Sequence, residues 1–240
     1  MHVEVRSQQA FDAHWARGGA VVEDQSWRPA DGDGVRAFHR AYLRPGQRVL
    51  ELGAGSGASL HHIQSEYGVD AVGVDLSLHA CRALNRIAAG CAMDAFRLGF
   101  KAGSFDAVYS VGLFEHFQPV NLSALMRESV RVTRPGGVVM VDVPYAWNLY
   151  TVYKRSLMAL RRWGPGWERE FQRRELRGLF RSVGLVVEST TLHGPFLHPH
   201  LRPLVAKRAK SLLPAYDAVG RVVPSPRNQF VTVVGRKPVS

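Results

Sequence analysis

The chain has 240 residues, 46% of them apolar and 21% charged, a composition that excludes a disordered or fibrous polymer and is sufficient to bury a core of its own. Its formal charge of +11 forecasts attraction to something anionic, with nucleic acid, a membrane surface and an acidic metabolite all open. Two cysteines, Cys81 and Cys91, build neither a disulfide framework nor a cysteine metal centre, and they fit a reducing cytoplasm.

The opening Met1-His2-Val3-Glu4-Val5-Arg6 lacks the basic cluster and apolar run of a secretion signal, and no eighteen consecutive apolar residues occur, so a cytoplasmic protein without a membrane span is expected. Residues 1–45 read as an N-terminal helical cap whose Phe11, His14 and Trp15 carry aromatic rings. Short apolar runs bounded by Gly, Pro or Asp follow at Val49 to Gly53, Ala71 to Asp75, Phe105 to Val111 and Val138 to Pro144, as buried parallel strands require. Helical spacing fills the intervals Ser59 to Tyr67, Ser77 to Ala89 and Asn121 to Thr133, and Ser77 is placed to cap its helix. Arg134-Pro135-Gly136-Gly137 has the chemistry of a type II turn, with Pro presetting the first central φ and Gly supplying the positive second one.

Beyond Pro144 the pattern changes. Residues 145–170 read as a cap insertion. A helix is expected over Phe171 to Val183, then a strand at Leu185 to Thr191, an irregular insertion over 193–227 and a last strand at Gln229 to Gly235, the final pair forming a long hairpin that closes the sheet with an antiparallel edge. The sum is one α/β domain: a seven-stranded, mostly parallel sheet with an antiparallel last strand, helices on both faces and helical cap additions, its cofactor-binding core over 46–144. Such sheets bind ligands beyond the carboxyl ends of their strands. The charge is not spread evenly over this plan. Residues 151–213 hold thirteen Lys or Arg against four Glu, whereas the first 150 hold fourteen basic against fifteen acidic. Arg161, Arg162, Arg173, Arg174, Arg177 and Arg181 are either solvated helix faces or a positive rim over a site for an anionic substrate or surface.

The sharpest motif is Glu51-Leu52-Gly53-Ala54-Gly55-Ser56-Gly57, a strand entering a glycine turn that opens a helix. Its glycines also satisfy a dinucleotide fingerprint, but Glu51 opposes a pyrophosphate at a helix N-terminus and welcomes an ammonium and a sulfonium. This segment resembles the first motif of the class I S-adenosylmethionine-dependent methyltransferases. The resemblance extends to Val72-Gly73-Val74-Asp75-Leu76-Ser77, Cys91-Ala92-Met93-Asp94-Ala95, Ser104-Phe105-Asp106-Ala107-Val108-Tyr109-Ser110-Val111 with Leu113-Phe114-Glu115-His116, and Arg134-Pro135-Gly136-Gly137.

The resemblance implies a Rossmann-like fold, S-adenosyl-L-methionine as cofactor and methyl transfer as activity. It implies cofactor contacts at Glu51, Gly53, Ala54, Gly55, Asp75, Leu76, Met93, Asp94, Ala95, Ser110 and Val111. In these, Asp75 takes the ribose hydroxyls or caps the next helix, Asp94 takes the adenine amine, and Leu76 and Met93 sandwich the ring or fill core. Asp106 reads as structural. His116, on the loop after the fourth strand, is the candidate base, and Tyr145, His14 and Trp15 are candidate acceptor contacts, with Trp147 as readily cap packing. His61-His62 and His198-Pro199-His200 lack a second half, so no metal is assigned. The expected acceptor is a small molecule with an anionic group. A nucleic-acid methyltransferase and a non-catalytic cofactor-binding partner protein are the alternatives, and a nicotinamide oxidoreductase is disfavoured by Glu51.

Overall fold

The computed structural model describes residues 34–147, 149–160, 168–194 and 229–239. In chain order these form α1 (Gly34–Tyr42), β1 (Arg48–Leu52), α2 (Ala58–Tyr67), β2 (Asp70–Asp75), α3 (Leu78–Leu84), β3 (Ala89–Ala92) and β4 (Phe105–Val111). A 3-10 turn (Phe114–His116), α4 (Pro119–Val132), β5 (Thr133–Pro144), α5 (Leu149–Ala159), α6 (Arg173–Ser182), β6 (Val186–His193) and β7 (Phe230–Arg236) complete them. The strands make one sheet of order β3-β2-β1-β4-β5-β7-β6. Strands β1 to β5 pair in parallel, and β7 runs antiparallel to both of its neighbours. The expected fold class is therefore observed, and the antiparallel pair of β6 and β7 closes the sheet, with β7 between β5 and β6 and β6 at the edge.

Alternation along the strands sorts the core into two faces. Val49, Ala71, Ala107, Tyr109, Val138 and Met140 pack against Val35 and Phe38 of α1, Leu60 and Ile63 of α2 and Leu84 of α3. On the opposite face Val139, Val141, Val143, Val231 and Val233 meet Leu122, Leu125 and Met126 of α4 and Leu176 and Phe180 of α6. Leu50, Leu52, Val72, Val74 and Val108 continue a core there with Leu98, Phe105 and Val132.

Three local details differ from expectation. The helix after β2 stops at Leu84 instead of Ala89, because Asn85 turns the chain and its side chain accepts the Gly90 N–H at 2.9 Å. That turn releases Ala89–Ala92 to pair with β2 as the third strand, a run too short and too poor in β-branched residues to bound beforehand. At Arg134-Pro135-Gly136-Gly137 the turn forms inside β5: Thr133 pairs with Phe105, the register slips, and Val138 resumes opposite Ala107. Gly136 has φ +75°, the positive angle its position in the turn requires. Ser77 does cap α3, its hydroxyl accepting the Ala80 N–H at 3.4 Å.

Asp106 is structural, as its place at the start of β4 suggested. Its carboxylate accepts from the Arg48 backbone N–H at 2.7 Å and from Arg134 Nε at 2.5 Å, tying β1 and the turn to β4. His14, Trp15, Arg161, Arg162, His198 and His200 lie outside the described residues, as do most of the N-terminal cap and the insertion before β7.

Candidate active site

Because β1 to β5 run in parallel, their carboxyl ends share one edge of the sheet, and the segments after them converge there. After β1 comes the glycine turn. Gly53, Gly55 and Gly57 have φ of +69°, +52° and +82°, and a Cβ on Gly57 would lie 2.4 Å from Leu84 Cδ1, so the turn depends on glycine there. The Gly53 and Ala54 amides donate to Val74 O at 2.8 and 3.0 Å, stitching the turn to the end of β2.

Asp75, the last residue of β2, completes this stitching. One carboxylate oxygen accepts the Gly55 N–H at 3.0 Å and the other the Ser77 N–H at 2.9 Å. The capping function is thus real. Leu76 beside it is 40% exposed, an apolar side chain held open at the strand end. Met93, Asp94 and Ala95 follow β3 and are half-buried, with the Asp94 carboxylate accepting the Phe96 N–H at 2.9 Å.

Glu51 sits beneath the glycine turn. Its Oε2 accepts the Tyr109 hydroxyl at 3.0 Å, and Ser59 Oγ lies 2.9 Å from that same hydroxyl. Burial pushes the Glu51 carboxyl up to about 8, against the lowering effect of its hydrogen bonds to Tyr109 and Ser59, so it is neutral at pH 7. A cationic ligand group meeting Glu51 would draw it back to the carboxylate. Tyr109 and Ser59 are contributions that the linear motif did not reveal. The strand register opposes Tyr109 to Glu51, and α2 supplies Ser59.

At the end of β4, Ser110 is buried and its Oγ has no hydrogen-bond partner, while Val111 is half-buried and Gly112 is exposed. The following 3-10 turn buries both Glu115 and His116. A Cβ on Gly112 would stand 3.5 Å from Glu115 Oε1, and Glu115 Oε2 has no hydrogen-bond partner. Desolvation raises the Glu115 carboxyl to about 8, with Glu168 and Asp142 adding to the rise and Lys154 opposing it. Its neighbour His116 drew attention in the sequence, yet Glu115 has the more perturbed setting that is characteristic of functional carboxyls.

The described charges of the cap are paired. Lys154 of α5 is buried and pairs with Glu168 at 3.3 Å and Glu170 at 3.0 Å; Arg155 reaches Glu170 and Arg169 reaches Glu175. Tyr145 follows β5 at the same edge, half-buried, its N–H donating to Gln229 O at 2.7 Å. Trp147 is 68% exposed and does not pack the cap. Deeper in β5, Asp142 Oδ1 accepts the Thr232 hydroxyl at 2.6 Å and lies 2.7 Å from His193 Nε2, a buried cluster drawn from three strands. Nothing in the sequence links residues 51 and 90 positions apart.

Among the described residues no group of three or more His, Cys, Asp or Glu is arranged to hold a metal ion. His62 is instead buried among rings, 5.8 Å from His39 and 6.1 Å from Tyr67 by centroid. No helix among them is long and apolar enough to cross a membrane.

Residues 50–141 match the family model described as a methyltransferase domain. The chain is 36% identical to the demethylmenaquinone methyltransferase of Corynebacterium urealyticum over 141 residues, 57% of each chain. It is 31% identical to the cyclopropane-fatty-acyl-phospholipid synthase of Escherichia coli over 101 residues, 41% of this chain and 26% of that one. The chain therefore spans little more than half of the first of these relatives and about a quarter of the second. Among solved structures, a chain of the complex between the Haloferax volcanii Trm112 methyltransferase activator and its methyltransferase superposes with a TM-score of 0.69 at 21% identity, covering 95% of this chain and 97% of that chain. Phosphoethanolamine N-methyltransferase 2 of Haemonchus contortus, in complex with S-adenosyl-L-methionine, gives 0.61 at 18% identity, covering 97% of this chain and 57% of that chain. Both share the fold.

Proposed function

We propose that this chain, whose residues 50–141 match the methyltransferase-domain model, is a class I S-adenosylmethionine-dependent methyltransferase that transfers a methyl group to a small-molecule acceptor bearing an anionic group. The observation that carries the reading is the convergence of the glycine turn, Asp75 with Leu76, Met93 to Ala95, Ser110 to His116 and Tyr145 on one edge of the parallel sheet. When bound, S-adenosyl-L-methionine supplies an electrophilic methyl on a sulfonium, open to in-line displacement by the acceptor.

The chain's part in that chemistry is to bind, orient and keep dry. Glu51 meets the donor's ammonium, releasing its proton as it does so. Gly53, Ala54 and Gly55 give the backbone close approach. Asp75 takes the ribose while holding the Gly55 amide, Asp94 takes the adenine edge, and Leu76 and Met93 flank the ring. Ser110 and Val111 face the methyl position from β4. Tyr145 borders the acceptor, joined in the proposal by His14 and Trp15 of the N-terminal segment.

An acceptor that must lose a proton needs a base at the end of β4. His116 is the proposed base, with Glu115 beside it as the second group able to take a proton near neutral pH. The anionic group on the acceptor complements the positive charge of residues 151–213. That same charge supports the polyanion reading, in which nucleic acid is the acceptor. A cytoplasmic location belongs to the proposal.

Calorimetry with S-adenosylhomocysteine and with NADH tests the cofactor, and binding of the dinucleotide alone would overturn the assignment. Affinity for random RNA measured between 50 and 200 mM salt tests the polyanion reading, because phosphate contacts impose a steep salt dependence. If homocysteine-product binding persists while no acceptor class turns over, the chain is a cofactor-binding partner and not an enzyme.

A further inference from the structure

The exposed side of α6 and the edge strand β6 enclose a cleft of about 620 Å³, lined among the described residues by Arg173, Arg174, Arg177, Arg181 and Thr190. Arg131, Arg134, Arg155, Arg169 and Arg236 each have a carboxylate partner, whereas among the described residues no side-chain ion pair or hydrogen bond involves the four around the cleft. The nearby acids are committed elsewhere: Glu175 of α6 to Arg169, and Glu188 of β6 to Arg236.

Arg173, Arg177 and Arg181 stand four residues apart, so they form two like-charged pairs on one helix face, an arrangement that weakens a helix. Arg177 Nε and Thr190 Oγ1 are buried without a hydrogen-bond partner, a condition few native polar groups tolerate. A carboxylate-free cleft of unpaired guanidiniums, with two unmet polar groups in its walls, is incomplete without an anion. Guanidinium forks match phosphate oxygens two at a time. The stripe from Arg173 to Arg181 rises about 12 Å, more than one phosphate spans.

The cleft is not the methyl-transfer site. Strand β6 lies three places from β4 in the sheet, about 14 Å at the usual strand spacing, whereas a reacting acceptor atom must come within about 3.5 Å of the methyl. We propose that the α6–β6 cleft is a separate recognition site for a ligand carrying two or more linked phosphates. This stands independently of the acceptor's identity. The ligand's source is either a soluble oligophosphate or a lipid diphosphate presented at a surface.

The test is binding of tripolyphosphate and of orthophosphate to the full chain by calorimetry, beside the double variant Arg177→Gln/Arg181→Gln. Tripolyphosphate is expected to bind at least tenfold more tightly than orthophosphate, and the double variant to lose at least tenfold. S-adenosylhomocysteine affinity should stay within twofold, which shows that the variant is folded. Retention by vesicles containing diacylglycerol pyrophosphate, relieved by tripolyphosphate and lost in the variant, would assign the lipid source; failure of these vesicles to retain the chain would assign the soluble one. Equal binding of the two phosphates, undiminished binding by the variant, or arginine-dependent binding of a 12-nucleotide RNA without any tripolyphosphate binding would each overturn the proposal.

Discussion

Replacing Glu51 by Gln should remove a pH dependence from both stability and ligand binding. In the folded chain the Glu51 carboxyl titrates at about 8, against 4.5 for the free group. Between those values the native state holds a proton that the unfolded chain has released, so the stabilisation is complete below about pH 4.5 and is lost as pH rises through 8. Each pH unit inside that window costs roughly 1 kcal/mol or a little more, so Glu51 alone removes roughly 2–3 kcal/mol between pH 5.5 and 7.5. That is a large part of a typical domain's 5–15 kcal/mol or so. Gln keeps an oxygen for the Tyr109 hydroxyl but has no charge to bury, so the variant should lose roughly 2–3 kcal/mol less over the same interval. Urea unfolding at the two pH values, compared at constant slope, reads the difference. Glu115 titrates in the same window and leaves a residual slope in the variant. Ligand binding gives an independent check. Because Glu51 must ionise to meet the donor's ammonium, which stays charged below about pH 7, wild-type affinity for S-adenosylmethionine should rise about tenfold from pH 6 to 7 with release of a proton, and Glu51→Gln should show neither effect. Equal stability slopes for the two proteins would refute the buried, protonated state of Glu51.

Asp75→Ala removes the acceptor of the Gly55 and Ser77 amides and should cost about 2 kcal/mol of stability and at least tenfold in S-adenosylhomocysteine affinity; a loss of stability with unchanged affinity would confine Asp75 to capping. Gly57→Ala forces a side chain into a left-handed position against Leu84 and should lower stability by about 1–3 kcal/mol, read from the thermal midpoint. His116→Gln should depress kcat with little change in KM, and the limb of the pH–rate profile should flatten. If turnover is intact in that variant and falls instead in Glu115→Gln, the base is Glu115. Tyr145→Ala should raise the acceptor's KM while cofactor affinity holds, and the reverse split would move Tyr145 out of the acceptor site.

Much of the fold was legible because its signals are local. Four short apolar runs bounded by Gly, Pro or Asp marked β1, β2, β4 and β5 within a few residues, and Ser77 and Gly136 act as their chemistry requires. The glycine turn and Asp75 were legible for the same reason, since a positive φ and a strand-end carboxylate are properties of the residues themselves. Strand β3 was not bounded, because Ala89–Ala92 has no β-branched residue and owes its form to pairing with β2.

The sequence alone determined the repeating strand and helix order, the edge of the sheet where ligands gather and the segment that holds the positive charge. Tertiary structure decided how those residues are charged and partnered. Glu51 is neutral because the surrounding core strips its water, which outweighs the hydrogen bond from Tyr109, 58 positions away, and Glu115 is raised by the same desolvation. It also divided the arginines, giving Arg131, Arg134, Arg155, Arg169 and Arg236 carboxylates and leaving four of α6 around a cleft without one among the described residues. Dielectric, solvation and ion pairing are set by neighbours in space, and neighbours in space are chosen only when the sheet closes.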